Sequence, residues 1–219
     1  CKLRLDPTND ERIYCLGLNI YKRSLPDNGF STDVVVHSDV HDMLFRPDGS
    51  RLVGCDGGIY RIPANSSTSV RLNNFPTTQF YHIGWSPHKP NDYFGGAQDN
   101  GTMYGNANTF NTWPSVFGGD GFRMAFHPTD SKTYYFETQN GSISGTNDGG
   151  INWNYGSSAL GTTDRTNWDT PFIMSPHDPS TLYAGTYQLY KNTDGVYLDW
   201  QSISPDLTDG NIYGARFHT

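Results

Sequence analysis

Cysteine and positive charge are both scarce in this chain. Its 219 residues include three cysteines and no CxxC pair, which argues against a disulfide framework. Lysine and arginine total 15 against 22 acidic residues, and the formal net charge of -7 excludes the basic surface that nucleic-acid binding needs. We therefore expect no nucleic-acid partner. The three cysteines are Cys1, Cys15 and Cys55.

Long apolar runs and helical periodicity are also missing. No stretch approaches the roughly 18 apolar residues of a membrane-spanning helix, so we expect no membrane span. Gly or Pro interrupts every long window, and no apolar stripe with helical spacing develops. Gly, Asn, Thr and Ser are abundant instead, with 14% aromatic and only 17% charged residues. This balance is typical of a secreted β-protein.

A repeated unit runs through almost the whole chain. Residues 43–61 show it well: an apolar run, a Pro turn, a second apolar run, a Gly-rich break and a third short strand. Five copies carry a proline after the first apolar run, and a sixth copy begins at Tyr213. A period of about forty residues with several short strands predicts the blades of a β-propeller. The prolines are Pro7, Pro47, Pro87, Pro128 and Pro176, in steps of 40, 40, 41 and 48 residues.

We predict an all-β fold, with residues 1–219 forming a single partial β-propeller of four-stranded blades. Five blades and a stub do not close a ring neatly, so we expect the remaining blades of a longer chain to be partners of this one. Cys15 and Cys55 fall in the second strands of adjacent blades, where either a disulfide bridge or two buried thiols would fit. The expected blades are residues 1–36, 37–78, 79–117, 118–166 and 167–208, and the next blade starts at 209–219.

Two Asp-Gly turns that end in tryptophan mark the fourth strand of their blades. Residues 146–153 fit the pattern S/T-x-D-x-G-x-x-W, and residues 192–200 are a looser copy with one extra residue before the Trp. In such a turn the Asp carboxylate accepts backbone N–H bonds, the Gly adopts positive φ, and the Trp packs the hairpin onto the blade. We predict structural roles for Asp148, Trp153, Asp194 and Trp200.

These turns resemble the Asp-box, or BNR, repeat of sialidases, sortilin-type (VPS10) propellers and xyloglucanase-type propellers. Residues 78–87, 95–102 and 118–121 are similar to large secreted propeller proteins of Bacteroidetes-type bacteria, and residues 200–208 are similar to blade ends of VPS10/BNR-like proteins. The resemblance covers nearly all of the chain. It implies a propeller fold and a secreted or outer-surface location, but it implies little about activity because the fold hosts many functions.

The candidate site residues emerge when the repeats are aligned on their prolines. Positions eight and six residues before each Pro lie at the start of the first strand, the strand nearest the propeller axis. We expect these side chains to converge at one mouth of the central channel, where ligands commonly bind. Two of them, Tyr81 and Trp168, could stack on sugar faces. The candidate ligand-binding residues are His37, Asp39, His41, Gln79, Tyr81, Asp120, Arg123 and Trp168.

A divalent metal is the one cofactor that the sequence suggests. His37, Asp39 and His41 alternate at period two, so on a strand they would point to one side. Two imidazoles and a carboxylate are suitable ligands for Zn²⁺. The alternative is that these side chains hydrogen-bond to loops of the neighbouring blade and orient them. HxDxH is not a specific metal motif, and no cofactor is firmly predicted.

Catalysis would need a carboxylate pair, and Asp39 and Asp120 are the candidates for glycoside hydrolysis. A sialidase would also need an arginine triad, and Arg123 is the only Arg near an axial strand entrance apart from Arg216. We therefore favour a non-catalytic extracellular scaffold that binds protein or glycan at the bacterial cell surface. A glycoside hydrolase of the xyloglucanase or sialidase-like class is the alternative, and a metal-stabilised propeller is the third hypothesis.

Overall fold

The computed structural model describes residues 2–72, 78–109, 112–156, 160 and 165–208, which fall into two units, Cys1–Thr77 and Thr78–Thr219. Within this described part, twenty short strands form five four-stranded antiparallel sheets. Each sheet pairs its strands in sequence order, which is the meander of a β-propeller blade. The predicted all-β fold of four-stranded blades is thus confirmed. Cys1 and the start of the sixth repeat at Tyr213 lie outside the described residues.

The first unit contains two blades. Its core is formed by alternate residues of the strands, including the fully buried Leu16, Ile20, Val53 and Ile62. The first blade has the strands β1 (Lys2–Asp6), β2 (Asn9–Leu16), β3 (Ile20–Ser24) and β4 (Ser31–Thr32), and the second has β5 (Val40–Phe45), β6 (Arg51–Cys55), β7 (Gly58–Ile62) and β8 (Val70–Arg71).

The second unit contains three blades and two short 3₁₀ helices, Gln139–Gly141 and Gly195–Tyr197. The third blade has β9 (His82–Trp85), β10 (Asp92–Ala97), β11 (Gly101–Asn106) and β12 (Ser115–Phe117). The fourth has β13 (Met124–Phe126), β14 (Tyr134–Thr138), β15 (Ser142–Thr146) and β16 (Asn154–Tyr155). The fifth has β17 (Phe172–Met174), β18 (Leu182–Gly185), β19 (Leu189–Asn192) and β20 (Trp200–Ser202).

The repeated proline ends the first strand of each later blade. Pro47, Pro87, Pro128 and Pro176 each lie two residues beyond the last residue of β5, β9, β13 or β17. Proline cannot donate to the strand ladder, and the chain turns there into the second strand. No helix in the described part of the chain is long and apolar enough to cross a membrane.

Cys15 and Cys55 are thiols and do not form a disulfide. The Cys55 thiol is buried, and its Sγ donates to the carbonyl oxygen of Gly58 at 3.4 Å. Burial raises the pKa of Cys55, which keeps the thiol protonated and unreactive at neutral pH. The sequence left open a disulfide bridge or two buried thiols, and the structure has two thiols of which Cys55 is buried and Cys15 is partly exposed.

The turn at residues 146–153 is held together by one carboxylate. Asp148 Oδ1 accepts from the backbone N–H groups of Ile151 and Asn152, both at 3.0 Å, and from the Thr146 hydroxyl at 2.8 Å. These bonds hold the pKa of Asp148 down at about 2. Trp153 packs beside it, with its ring centroid 4.5 Å from that of Phe117. The turn therefore ties β15 to β16.

The turn at residues 192–200 uses a different acceptor. The buried Asn192 accepts from the Asp194 N–H at 2.9 Å through Oδ1 and donates to the Gly195 carbonyl at 2.7 Å through Nδ2. Trp200 is buried in the core of the fifth blade. The Asn192 amide at the end of β19 thus holds this turn together, as the Asp148 carboxylate does in the fourth blade.

Because the two turns use different acceptors, we expect an Asp→Asn substitution to change the thermal midpoint unequally in them. Asp148→Asn should lower the thermal midpoint by several degrees. The amide has an NH₂ group in place of one carboxylate oxygen, and this group cannot accept hydrogen bonds from the N–H groups of the turn. Asp194→Asn, the matched control, should leave the midpoint nearly unchanged. The contribution of Asp148 is present above its unfolded pKa of 3.8 and is lost as the pH falls towards 2. Equal thermal shifts in the two variants at pH 7 would contradict this assignment.

Candidate functional site

Three blades of the second unit bring an aromatic cluster together, which we call the aromatic patch: Tyr81, Phe122 and Trp168. Tyr81 and Trp168 meet edge to face with ring centroids 5.4 Å apart. Phe122 is fully buried beneath them, at 5.4 Å from Tyr81 and 4.7 Å from Trp168. Tyr81 keeps 42% of its surface exposed. All three residues precede the first strand of their blade, whereas the proline alignment predicted positions at the start of that strand.

Two glutamines hold the rim of the aromatic patch. Gln98 Oε1 accepts from the Tyr81 hydroxyl at 3.0 Å, and Gln139 Oε1 accepts from the Asp120 N–H at 2.9 Å. Each glutamine precedes a turn residue with a left-handed backbone conformation, Asp99 with φ 60° and Asn140 with φ 62°. Neither segment was assigned to the site from the sequence. The recurrence of Gln at one aligned position was the signal that could have placed them at the site.

Hydrogen bonds donated by backbone N–H groups fix the same loops. The Asn140 N–H donates to the Trp168 carbonyl at 2.9 Å, so the turn of the fourth blade supports the loop of the fifth. Asp120 Oδ1 accepts from the Asp99 N–H at 2.8 Å, which joins the third and fourth blades in the same way. The position of each ring therefore depends on a neighbouring blade.

A triad of hydrogen-bonded ionisable side chains lies next to the patch. Asp169 accepts from His82 Nε2 at 2.7 Å through Oδ2 and from Arg123 Nε at 3.2 Å through Oδ1. The three residues come from the third, fourth and fifth blades. Arg123 was a predicted site residue, whereas His82 and Asp169 were missed because they occupy alignment positions that we did not consider. Both oxygens of the Asp169 carboxylate therefore accept a hydrogen bond.

Glu137 is a buried carboxyl group under this site, and its side chain has no exposed surface. Its oxygens accept from the Thr170 N–H at 2.7 Å and from the Arg123 N–H at 3.3 Å. Burial is the main cause that raises the pKa of Glu137 to about 9, and the nearby Asp169 adds to it. The carboxyl group is therefore neutral at pH 7. In the ladders of the second, third and fifth blades this position is glycine, namely Gly54, Gly96 and Gly185, whereas in the first blade it is Leu16.

In the first unit, the structure separates His37, Asp39 and His41. The expected strand over all three residues was wrong: β5 begins at Val40, and Asp39 has a left-handed φ of 60°. His37 Nδ1 lies 3.2 Å from the Ser38 carbonyl oxygen, and the exposed His41 contacts Asp56 through Nε2. These residues thus do not lie on one side of a strand. The suggested metal site stays a prediction.

The remaining candidates are placed as follows. Gln79 is exposed, two residues before Tyr81 of the patch. Asp120 lies at the rim of the patch in the second unit, whereas Asp39 belongs to the first unit. The catalytic pairing of Asp39 with Asp120 therefore stays a prediction. What the second unit offers chemically is a pair of partly exposed aromatic rings surrounded by amide, carboxylate and guanidinium groups, an arrangement suited to binding a sugar.

No known family and no curated protein matches the sequence. Similar solved structures include an ancestral GH74 enzyme, 15% identical with a TM-score of 0.41, matched over 92% of this chain and 30% of its own. The GH74 xyloglucanase from Xanthomonas campestris is 13% identical with a TM-score of 0.44, over 93% and 38%. YCF48 from Cyanidioschyzon merolae is 11% identical with a TM-score of 0.36, over 84% and 64%. The chain spans about a third of the length of the two GH74 proteins.

Proposed function

We propose that this chain is a non-catalytic, extracellular propeller segment that binds glycan through the aromatic patch. The observation that carries the proposal is the edge-to-face contact of Tyr81 and Trp168 over the buried Phe122. Partly exposed rings with a fixed orientation can stack on the apolar face of a pyranose. The Gln98 amide and the Asp120 carboxylate at the rim can hydrogen-bond to its hydroxyl groups.

The state of the nearby carboxyl groups favours binding over hydrolysis. Asp169 forms an ion pair with Arg123 and a hydrogen bond with His82, and Glu137 is buried and bonded to two backbone N–H groups. Neither carboxyl group is available as a nucleophile or as an acid for a glycosidic oxygen. A location at the bacterial cell surface and membership of the Asp-box propellers are parts of this proposal. The carboxylate-centred turn at Asp148 supports the second part.

Binding to immobilised neutral polysaccharides (cellulose, xylan, mannan and xyloglucan) tests the proposal, with polygalacturonate as an anionic comparison. Trp168→Ala should weaken binding by about tenfold or more, because a stacking ring is lost. Trp168→Phe should keep most of the affinity. This result would show that the loss in Trp168→Ala comes from the missing ring and not from a folding defect. Trp85→Ala is the matched control, since Trp85 is a 54% exposed tryptophan of the same unit outside the patch. Equal losses in Trp85→Ala and Trp168→Ala would overturn the proposal.

A glycoside hydrolase that uses Asp39 and Asp120 is the alternative. It is favoured by the place of Asp120 at the rim of the aromatic patch. Release of reducing sugar from the same polysaccharides distinguishes the two functions. Activity that disappears in both Asp39→Asn and Asp120→Asn, with binding retained, would replace the scaffold proposal by the hydrolase.

A further inference from the structure

A cleft lies beside the aromatic patch in the second unit, and the proposed function does not use it. It has a volume of about 470 Å³, within the range of roughly 300–1,000 Å³ that is common for small-molecule sites. Its walls come from the outer strand β12 of the third blade and from β14, β15 and β16 of the fourth. The cleft and the patch share a boundary at Gln139, which lines the cleft and accepts from the Asp120 N–H at the patch.

The lining of the cleft indicates the class of ligand. None of the described residues that line it carries a charge. Trp153 and Tyr155 provide aromatic rings, and Thr138, Ser142 and Ser144 provide hydroxyl groups. An anionic or cationic ligand would find no ion-pair partner here, whereas a neutral sugar has both an apolar face and hydroxyl groups. The chemistry of the cleft thus fits the neutral sugar residues of a glycan.

The Trp153 ring of the cleft is held in place before a ligand arrives. Trp153 packs against Phe117, Phe136 and Tyr134, with centroid distances of 4.5, 5.3 and 5.6 Å. Tyr155 pairs with Ser144 in the β15–β16 ladder and leaves 70% of its surface exposed. A rigid site loses little conformational entropy on binding. Trp153 is therefore suited to form the wall of the cleft, and Tyr155 its exposed rim.

We propose that this cleft is a second sugar subsite, and that one neutral oligosaccharide chain occupies the aromatic patch and the cleft together across Gln139. The inference rests on the proposed glycan binding at the patch. Two linked subsites on one compact unit make the second contact intramolecular, so the affinity should rise with the length of the oligosaccharide until both subsites are filled. A short oligosaccharide would occupy the patch alone.

Nitrogen-labelled tryptophan side chains report the two subsites separately in NMR spectra. The titrants are size series of cello-, xylo- and xyloglucan oligosaccharides, from the monosaccharide upwards. We expect short sugars to shift the indole N–H signal of Trp168, and longer ones to shift those of Trp168 and Trp153. Tyr155→Ala should weaken the long oligosaccharides by about tenfold and leave the short ones unchanged. Tyr197→Ala, a 67% exposed tyrosine of the fifth blade, is the control.

The outcomes separate this inference from the proposed function. If Trp168→Ala abolishes binding while Tyr155→Ala has no effect and the Trp153 signal never moves, the second subsite is wrong and the patch stands. If Tyr155→Ala weakens binding and Trp168→Ala does not, the patch is wrong and the cleft binds by itself, which overturns the shared chain. If no oligosaccharide in the three series shifts either signal, both proposals fail.

Discussion

Replacing Glu137 by glutamine is expected to stabilise the protein at pH 8 and to flatten the dependence of its stability on pH. The Glu137 side chain is fully buried, and burial raises its pKa from 4.5 to about 9. Below pH 4.5 the carboxyl group is protonated in both the folded and the unfolded chain. Between pH 4.5 and about 9 the unfolded chain releases this proton and the folded chain keeps it.

The sign of the effect follows from this difference in bound protons. The folded state binds more protons in that range, so the free energy of unfolding falls as the pH rises, by up to about 1.4 kcal/mol per pH unit. Stability is therefore greatest at acidic pH as far as Glu137 is concerned, and the loss is complete above about pH 9. Glutamine is neutral at every pH and should remove this slope.

Urea unfolding from pH 5 to pH 9 measures the effect in wild type and variant. At pH 5 Glu137→Gln should be less stable than wild type by about 1 kcal/mol, because its amide has one acceptor for the N–H groups of Arg123 and Thr170. The two stability curves should then cross. Glu137→Ala is the second variant and should be less stable at acidic pH, since both N–H groups lose their partners. Parallel curves for wild type and Glu137→Gln would show that the buried group keeps an ordinary pKa.

Gly96→Ala is expected to destabilise the second unit by about 3 kcal/mol, because the added methyl group would collide with main-chain atoms of the next blade. A Cβ atom at Gly96 would lie 2.2 Å from the carbonyl oxygen and 2.6 Å from the nitrogen of Phe122. A rotamer change cannot relieve these contacts, because both atoms belong to the main chain. The third and fourth blades would have to move apart, and the floor of the aromatic patch would move with Phe122.

Gly185→Ala is the matched control for that substitution. Gly185 occupies the same aligned position in the fifth blade, and the nearest atom to its added Cβ is Pro171 Cγ at 3.3 Å. We expect a change within about 1 kcal/mol, because a small shift of one side chain removes the contact. Denaturant unfolding measures the free energy of unfolding of both variants. Glycan binding by the same variants reports whether the aromatic patch is intact. A Gly96→Ala protein as stable as Gly185→Ala would mean that the blades tolerate a wider spacing.

Much of the fold could be predicted because its signals are local and repeated. Pro87 and Pro128 follow the first strands of their blades, and each repeat contains the strands of one sheet. A proline ends a strand, and a left-handed turn favours Gly, Asn or Asp, through interactions within a few residues. Such preferences can be recognised along the chain. The strand expected over residues 37–41 failed because the alternation of polar residues did not indicate the left-handed backbone at Asp39.

The aromatic patch consists of residues at aligned positions of the repeats. The proline alignment placed Tyr81, Phe122 and Trp168 at strand entrances, and the structure brings their rings into contact. Glu137 could not be assigned a role from its sequence position. Its high pKa depends on burial by segments of two blades, and the sequence does not show how those blades pack.

The sequence by itself determined the class of fold and the number of strands in each repeat, because these depend on contacts between near neighbours. The tertiary structure alone decided which groups meet. His82 and Asp169 are 87 residues apart in the chain and 2.7 Å apart in space. Their pairing follows from the packing of three blades, and that packing is the sum of many weak long-range contacts that no short pattern records.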